Sequence, residues 1–155
     1  MTLPLLVFGW GNRSRGDDAL GPLCVERLRS ALPYRDDIEF IDDYQLMVEH
    51  VLDLDGRSCV LFIDASLGCA PPFETLALRA AADGSLSSHA LSPQALLQVY
   101  RELHDDDPPP CTLLAIRGLR FELGEPPTAA ALAHLDAALH WAKRWLSLPQ
   151  VLRRA

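Results

Sequence analysis

Short apolar runs alternate along the chain with segments whose apolar residues recur at helical spacing, and that alternation predicts an α/β fold with a mostly parallel sheet. Leu3 to Phe8 is the first expected strand, and Gly9 to Gly16 a loop. From Asp17 to about Leu32, Leu20, Cys24, Leu28 and Leu32 fall on one helical face. Ile38 to Ile41 is a second strand. Gln45 to Leu54 is a second helix, on the spacing of Met47, Val48, Val51 and Leu52. Cys59 to Ile63 is a continuous apolar run, as a strand buried on both faces requires.

Phe73 to about Leu78 also reads as a strand, but Ala65 to Pro72 is too short to hold a crossover helix. A hairpin from the third strand and an antiparallel fourth strand are therefore expected. Ser92 and Pro93 open a helix to about His104, with serine as N-cap and proline in the first turn. Asp105 to Pro110, three acids and three prolines, is a loop. Thr112 to Arg117 is the fifth strand. Thr128, behind Pro126 and Pro127, caps a last helix to Leu148 whose buried stripe is Leu132, Leu135, Leu139, Ala142 and Leu146. The expected architecture is a single α/β domain over residues 1–155, with a mostly parallel, twisted five-stranded sheet, one antiparallel strand, and helices on both faces.

Composition narrows the partners. The chain has 155 residues and a formal net charge of -7, so it lacks the basic footprint of a nucleic-acid or anionic-membrane binder. Cys24, Cys59, Cys69 and Cys111 are far apart with no C-x-x-C pair, which fits reduced thiols in the cytoplasm rather than disulfides or a zinc knuckle. The opening apolar run stops at Gly9 without a basic start, too short for a signal core or a membrane span. A soluble cytoplasmic monomer is expected.

In open α/β sheets ligands sit beyond the carboxyl ends of the strands, where strand order reverses. With an order 2-1-3, that crevice receives Gly9 to Asp18 after the first strand and Asp64, Ala65 and Ser66 after the third. Three carboxylates converge there. Gly9-x-Gly11 suggests a dinucleotide loop, but Ser14 stands at the third glycine position and two acids occupy the turn where a pyrophosphate would lie. A phosphoacceptor domain needs a lysine after strand five, and the single lysine, Lys143, lies in the last helix. G-x-S-x-G and H-E-x-x-H are absent.

Asp17 and Asp18 also suit a helix start, where carboxylates cap amides and meet the positive dipole end, and Asp17 is the N-cap candidate. Taken alone, Asp64 reads equally as a cap of loop amides and His89 as a surface histidine. An antiparallel fourth strand ends at the far edge of the sheet, however, so the chain from about Ala80 to Leu91 must climb back. That climb brings His89 to the rim holding Asp18 and Asp64. Two carboxylates and an imidazole suit a divalent ion such as nickel, zinc or iron. Glu49, His50 and Asp53 read as a solvated helix face. Trp10 reads as core packing, with a peptide contact as the alternative, and Arg13 with Arg15 either as a local positive spot beside the cleft that captures a carboxylate or as side chains extended into solvent.

Leu5 to Asn12 followed by Gly16-Asp17-Asp18-Ala19-Leu20-Gly21-Pro22, then Leu61 to Ala65, then Ser88-His89 before the Ser92-Pro93 helix start, resembles the hydrogenase maturation proteases over most of the chain. The resemblance implies a five-stranded sheet between helices. It also implies an endopeptidase that removes the C-terminal extension of a nickel-loaded [NiFe] hydrogenase large subunit precursor, with Asp18, Asp64 and His89 as catalytic residues and metal ligands. The nickel is then supplied by the precursor, and cleavage is a checkpoint on metal insertion. A non-enzymatic nickel-binding accessory module with the same ligands is the alternative. The sequence departs from the family pattern at Arg13-Ser14-Arg15, at Ala19, and at Asp43-Tyr44-Gln45, where many members carry a small glycine-rich turn.

Overall fold

The structure, a computed structural model, describes residues 2–84 and 91–153. Five strands, β1 (Leu5–Trp10), β2 (Ile38–Asp43), β3 (Cys59–Ser66), β4 (Phe73–Ala77) and β5 (Cys111–Arg117), form one sheet in the order β2-β1-β3-β5-β4. All neighbours are parallel except β4 and β5. Helices α1 (Leu20–Ala31) and α3 (Ala129–Ser147) cover one face, α2 (Pro93–His104) the other, and α4 (Gln150–Arg153) follows α3.

Strand alternation divides the core in two. Leu5, Val7, Leu61, Ile63, Leu114 and Ile116 pack against α1 and α3, through residues such as Leu28, Leu135 and Ala142. Leu6, Phe8, Val60 and Phe62 face the other way, onto Leu96, Leu97, Val51 and Leu54. The caps expected for α2 and α3 are formed: the Ala95 amide donates to Ser92 Oγ at 3.1 Å and the Ala131 amide to Thr128 Oγ1 at 3.2 Å. Trp10 is buried against Phe8 and Phe62, so core packing holds for it.

Three expectations are corrected. The antiparallel strand is present, but β4 forms no hairpin with β3, because β5 inserts between them. Burial explains the order: Leu114 and Ile116 of β5 are fully buried and need an interior position, whereas Glu74 to Ala77 of β4 are exposed and suit an edge. The segment expected as a helix from Gln45 is a 3-10 helix, Val48–Leu54. The first helix begins with a 3-10 turn, Gly16–Ala19, before α1.

Candidate active site

The loops leaving the carboxyl ends of β1, β2, β3 and β5 surround a cleft of about 530 Å³. Asp18, Asp64, Asn12, Arg15, Tyr44 and Gln45 supply its polar lining, and Trp10, Leu46, Leu91, Phe121 and Leu123 its apolar lining.

The glycines of the first loop serve packing. A Cβ at Gly9 would lie 2.6 Å from the Gly21 carbonyl oxygen, and one at Gly11, whose φ is +150°, would lie 1.9 Å from the Asp18 carbonyl oxygen. The strand end meets α1, and the loop after it meets the 3-10 turn, backbone to backbone, which only glycine allows. This contact, with no phosphate cradle involved, sets Asp18 at the cleft. The Asn12 amide donates to Asp18 Oδ2 at 2.8 Å.

Asp17 is not the helix N-cap. Arg15 holds that position for the 3-10 turn, Ala19 holds it for α1, and neither caps through its side chain. The Asp17 carboxylate turns inward, 0% exposed. It accepts from the amides of Leu119 (2.7 Å), Arg120 (3.1 Å) and Thr128 (2.7 Å) and from the Thr128 hydroxyl. Burial pushes its pKa up, but these four donors outweigh that cost and hold it below the usual carboxylate range. Asp17 thereby ties the loop after β1 to the loop after β5 and to the start of α3.

Asp64, at the end of β3, has the opposite balance. Burial raises its pKa to about 7, the Asp18 charge across the cleft adds to the rise, and a hydrogen bond from the Ala65 amide only partly offsets them. Asp18 and Asp64 are thus brought together, as the sequence predicts. His89 lies outside the described residues. Leu91, two residues further on, lines the cleft. Among the described residues no cluster of three metal-ligating side chains is present.

The other expectations divide. Arg13 ion-pairs with Asp42 (2.9 Å) and Glu26 (3.2 Å), so its charge is already matched, whereas Arg15 donates from Nε to the Phe121 carbonyl and lines the cleft. His50 is not part of a solvated face: it is 8% exposed, its ring in a T-shaped contact with Phe8. Its Nδ1 accepts from the Met47 amide at 2.8 Å, which leaves Nε2 to donate to Asp43 Oδ2 at 3.0 Å. Sequence reasoning assigned no role to Asn12 or to Phe121 and Leu123. The loop after β5 leaves the same sheet end as those after β1 and β3, and that topological signal identifies it.

No protein-family model matches the sequence, and no curated protein matches it. Solved structures do match the fold. The [NiFe] hydrogenase maturation protease HycI from Thermococcus kodakarensis KOD1 superposes with a TM-score of 0.69 at 21% identity, over 92% of this chain and 91% of that one. The hydrogenase maturating endopeptidase HybD from E. coli gives 0.68 at 24% identity over 90% of each. The hydrogenase 2 maturation peptidase from Thaumarchaeota archaeon SCGC_AB-539-E09 gives 0.67 at 23% identity, over 94% and 99%. The resemblance read from the glycine loop and its acids thus extends to the whole architecture, and this chain has the fold of the hydrogenase maturation proteases.

Proposed function

We propose that the protein is an endopeptidase that removes the C-terminal extension of a nickel-loaded [NiFe] hydrogenase large subunit precursor, with Asp18, Asp64 and His89 engaging the precursor's nickel. The observation that carries the reading is the convergence of Asp18 and Asp64 on one cleft, at the sheet end where this fold binds ligands. Leu91 on the cleft wall supports His89 as the third ligand. Four buried free cysteines fit action in the reducing cytoplasm.

The donor set fits a divalent cation. Burial and the like charge of Asp18 disfavour ionised Asp64 in the free protein, and a cation held between the two carboxylates would offset both. A divalent ion held by Asp18 and Asp64 would supply Lewis-acid polarisation of a peptide carbonyl and would acidify bound water. The chain's own residues do the rest. Asn12 fixes Asp18 through its amide. Asp64, partly protonated near neutral pH, would release that proton on ligating an ion, which would couple engagement of metal to proton release. Two carboxylates and one imidazole leave coordination positions that the precursor's own ligands fill, so the isolated protein binds nickel weakly and cleavage reports metal insertion.

The test is incubation of purified protein with nickel-loaded and nickel-free precursor, followed by mass spectrometry. Cleavage of the loaded form alone is expected. Cleavage of both removes the checkpoint, and binding of nickel-loaded precursor without cleavage identifies an accessory module instead.

A further inference from the structure

Tyr44 lines the cleft beside Asn12 and Gln45. It is 63% exposed, yet it is held at both ends. Its amide donates to Asp43 Oδ1 at 2.7 Å, and its hydroxyl accepts from Asn12 Nδ2 at 3.0 Å. The Asn12 side chain has one orientation, because its Oδ1 accepts from the Ser14 amide at 2.9 Å and its nitrogen must then face the tyrosine. Asp43 is itself anchored by His50, whose other nitrogen accepts from the Met47 amide, so the turn carrying Tyr44 is closed by side chains.

Ordering an exposed side chain costs rotamer entropy, and burial does not offset that cost for Tyr44. Such an arrangement is preorganised for a ligand. The ligand chemistry follows from what remains unused. Asn12 takes a lone pair of the hydroxyl, which leaves its O–H to donate. The ring stands at a cleft that also has the apolar walls of Leu46, Trp10 and Leu91. An extended peptide crossing the Asp18–Asp64 pair offers a carbonyl acceptor and an apolar side chain at such a place, and tyrosine serves both at low entropic cost.

We propose that Tyr44 is a substrate-positioning residue that donates its hydroxyl hydrogen to a backbone carbonyl of the bound precursor while its ring covers the neighbouring side chain. Asn12 sets the register, since the same residue bonds Asp18 through its amide and Tyr44 through its side chain. The inference rests on the endopeptidase reading and names how that site holds its peptide.

The test compares wild type with Tyr44→Phe, with Tyr34→Phe as a control at another exposed tyrosine that does not line the cleft. Processing of nickel-loaded precursor gives KM and kcat, and calorimetry gives precursor affinity and zinc affinity. Tyr44→Phe should raise KM about three- to tenfold, the loss of one neutral hydrogen bond. Its kcat should stay within about twofold, because uniform binding is what is lost. Zinc affinity and Tm should match wild type. An unchanged KM overturns the proposal. So does a KM loss accompanied by equal losses of zinc affinity and Tm, which would make the hydroxyl a loop brace. If wild type binds precursor without cleaving it, the endopeptidase reading fails while the precursor affinity ratio still decides the role of Tyr44. If it does neither, both fall.

Discussion

Asp17 and Asp18 are adjacent in sequence and belong to two different regions of the molecule. Asp17 points into the seam between the loops after β1 and β5, where four donors complete it and no water reaches it. Asp18 points into the cleft opposite Asp64, whose ionised form the fold disfavours. The seam buries its carboxylate fully and the cleft half-buries its pair, and the two regions differ in who supplies the counterpart. At the seam the protein's own amides do, so the charge stabilises the fold. At the cleft the counterpart comes from outside, so the charge is a cost carried for binding.

The largest expected effect is on chemistry. Asp18→Asn, Asp64→Asn and His89→Ala should each lower processing of nickel-loaded precursor by more than the roughly 10- to 100-fold that even outer partners of metal ligands cost. Each variant should keep a wild-type circular dichroism spectrum. A variant that processes at the wild-type rate removes that residue from the site.

Asp17→Ala should do the reverse. It leaves three part-buried amides without their acceptor, a loss of about 3 kcal/mol. For a chain of this length that lowers Tm by roughly 6–12 °C. Processing below the transition should persist. A loss within the roughly 0.5–2 kcal/mol of an ordinary helix cap would show that the seam does not depend on Asp17.

The pH dependence of stability separates the two carboxylates by sign. Asp64 titrates near 7 when folded and near 3.9 when unfolded, so between these values the folded chain binds more protons and Asp64 lowers stability as pH rises. The cost is complete above about pH 7, on the order of 4 kcal/mol, and Asp64→Asn should recover it in urea melts at pH 8 but not at pH 4. Asp17, whose pKa is depressed, stabilises above the unfolded value and loses that contribution as pH falls through its folded pKa. If the gain from Asp64→Asn were equal at both pH values, the charge would not be its source.

The smallest effect belongs to Arg13→Ala. Its two ion pairs are exposed, and such pairs contribute about 0–1 kcal/mol. With Arg13 committed to Asp42 and Glu26, the precursor concentration for half-maximal processing should not change. An increase would restore Arg13 as a docking residue.

Element types were legible where periodicity and caps agreed, as at Ser92, Thr128 and the apolar run from Cys59. The convergence of Asp18 and Asp64 was legible too, because parallel strands place their carboxyl ends at one rim. The place of β4 was not, since short connections suggest hairpins while the burial demand of β5 decides the order. The inward turn of Asp17 depends on amides more than a hundred residues away, at Leu119, Arg120 and Thr128, which no local pattern announces. His50 escapes local reading for a similar reason: its partners include Asp43 and the Phe8 ring, on strands rather than on its own helix.

The division between seam and cleft is tested most directly by carboxyl carbon NMR of Asp17 and Asp64 through a pH titration, with and without millimolar zinc as a diamagnetic divalent ion. Asp64 should titrate near 7 alone and move to lower pH with zinc, while Asp17 should titrate below the ordinary range in both and ignore the metal. An Asp64 that titrates like a solvated carboxylate, or one that zinc leaves unmoved, would contradict the division.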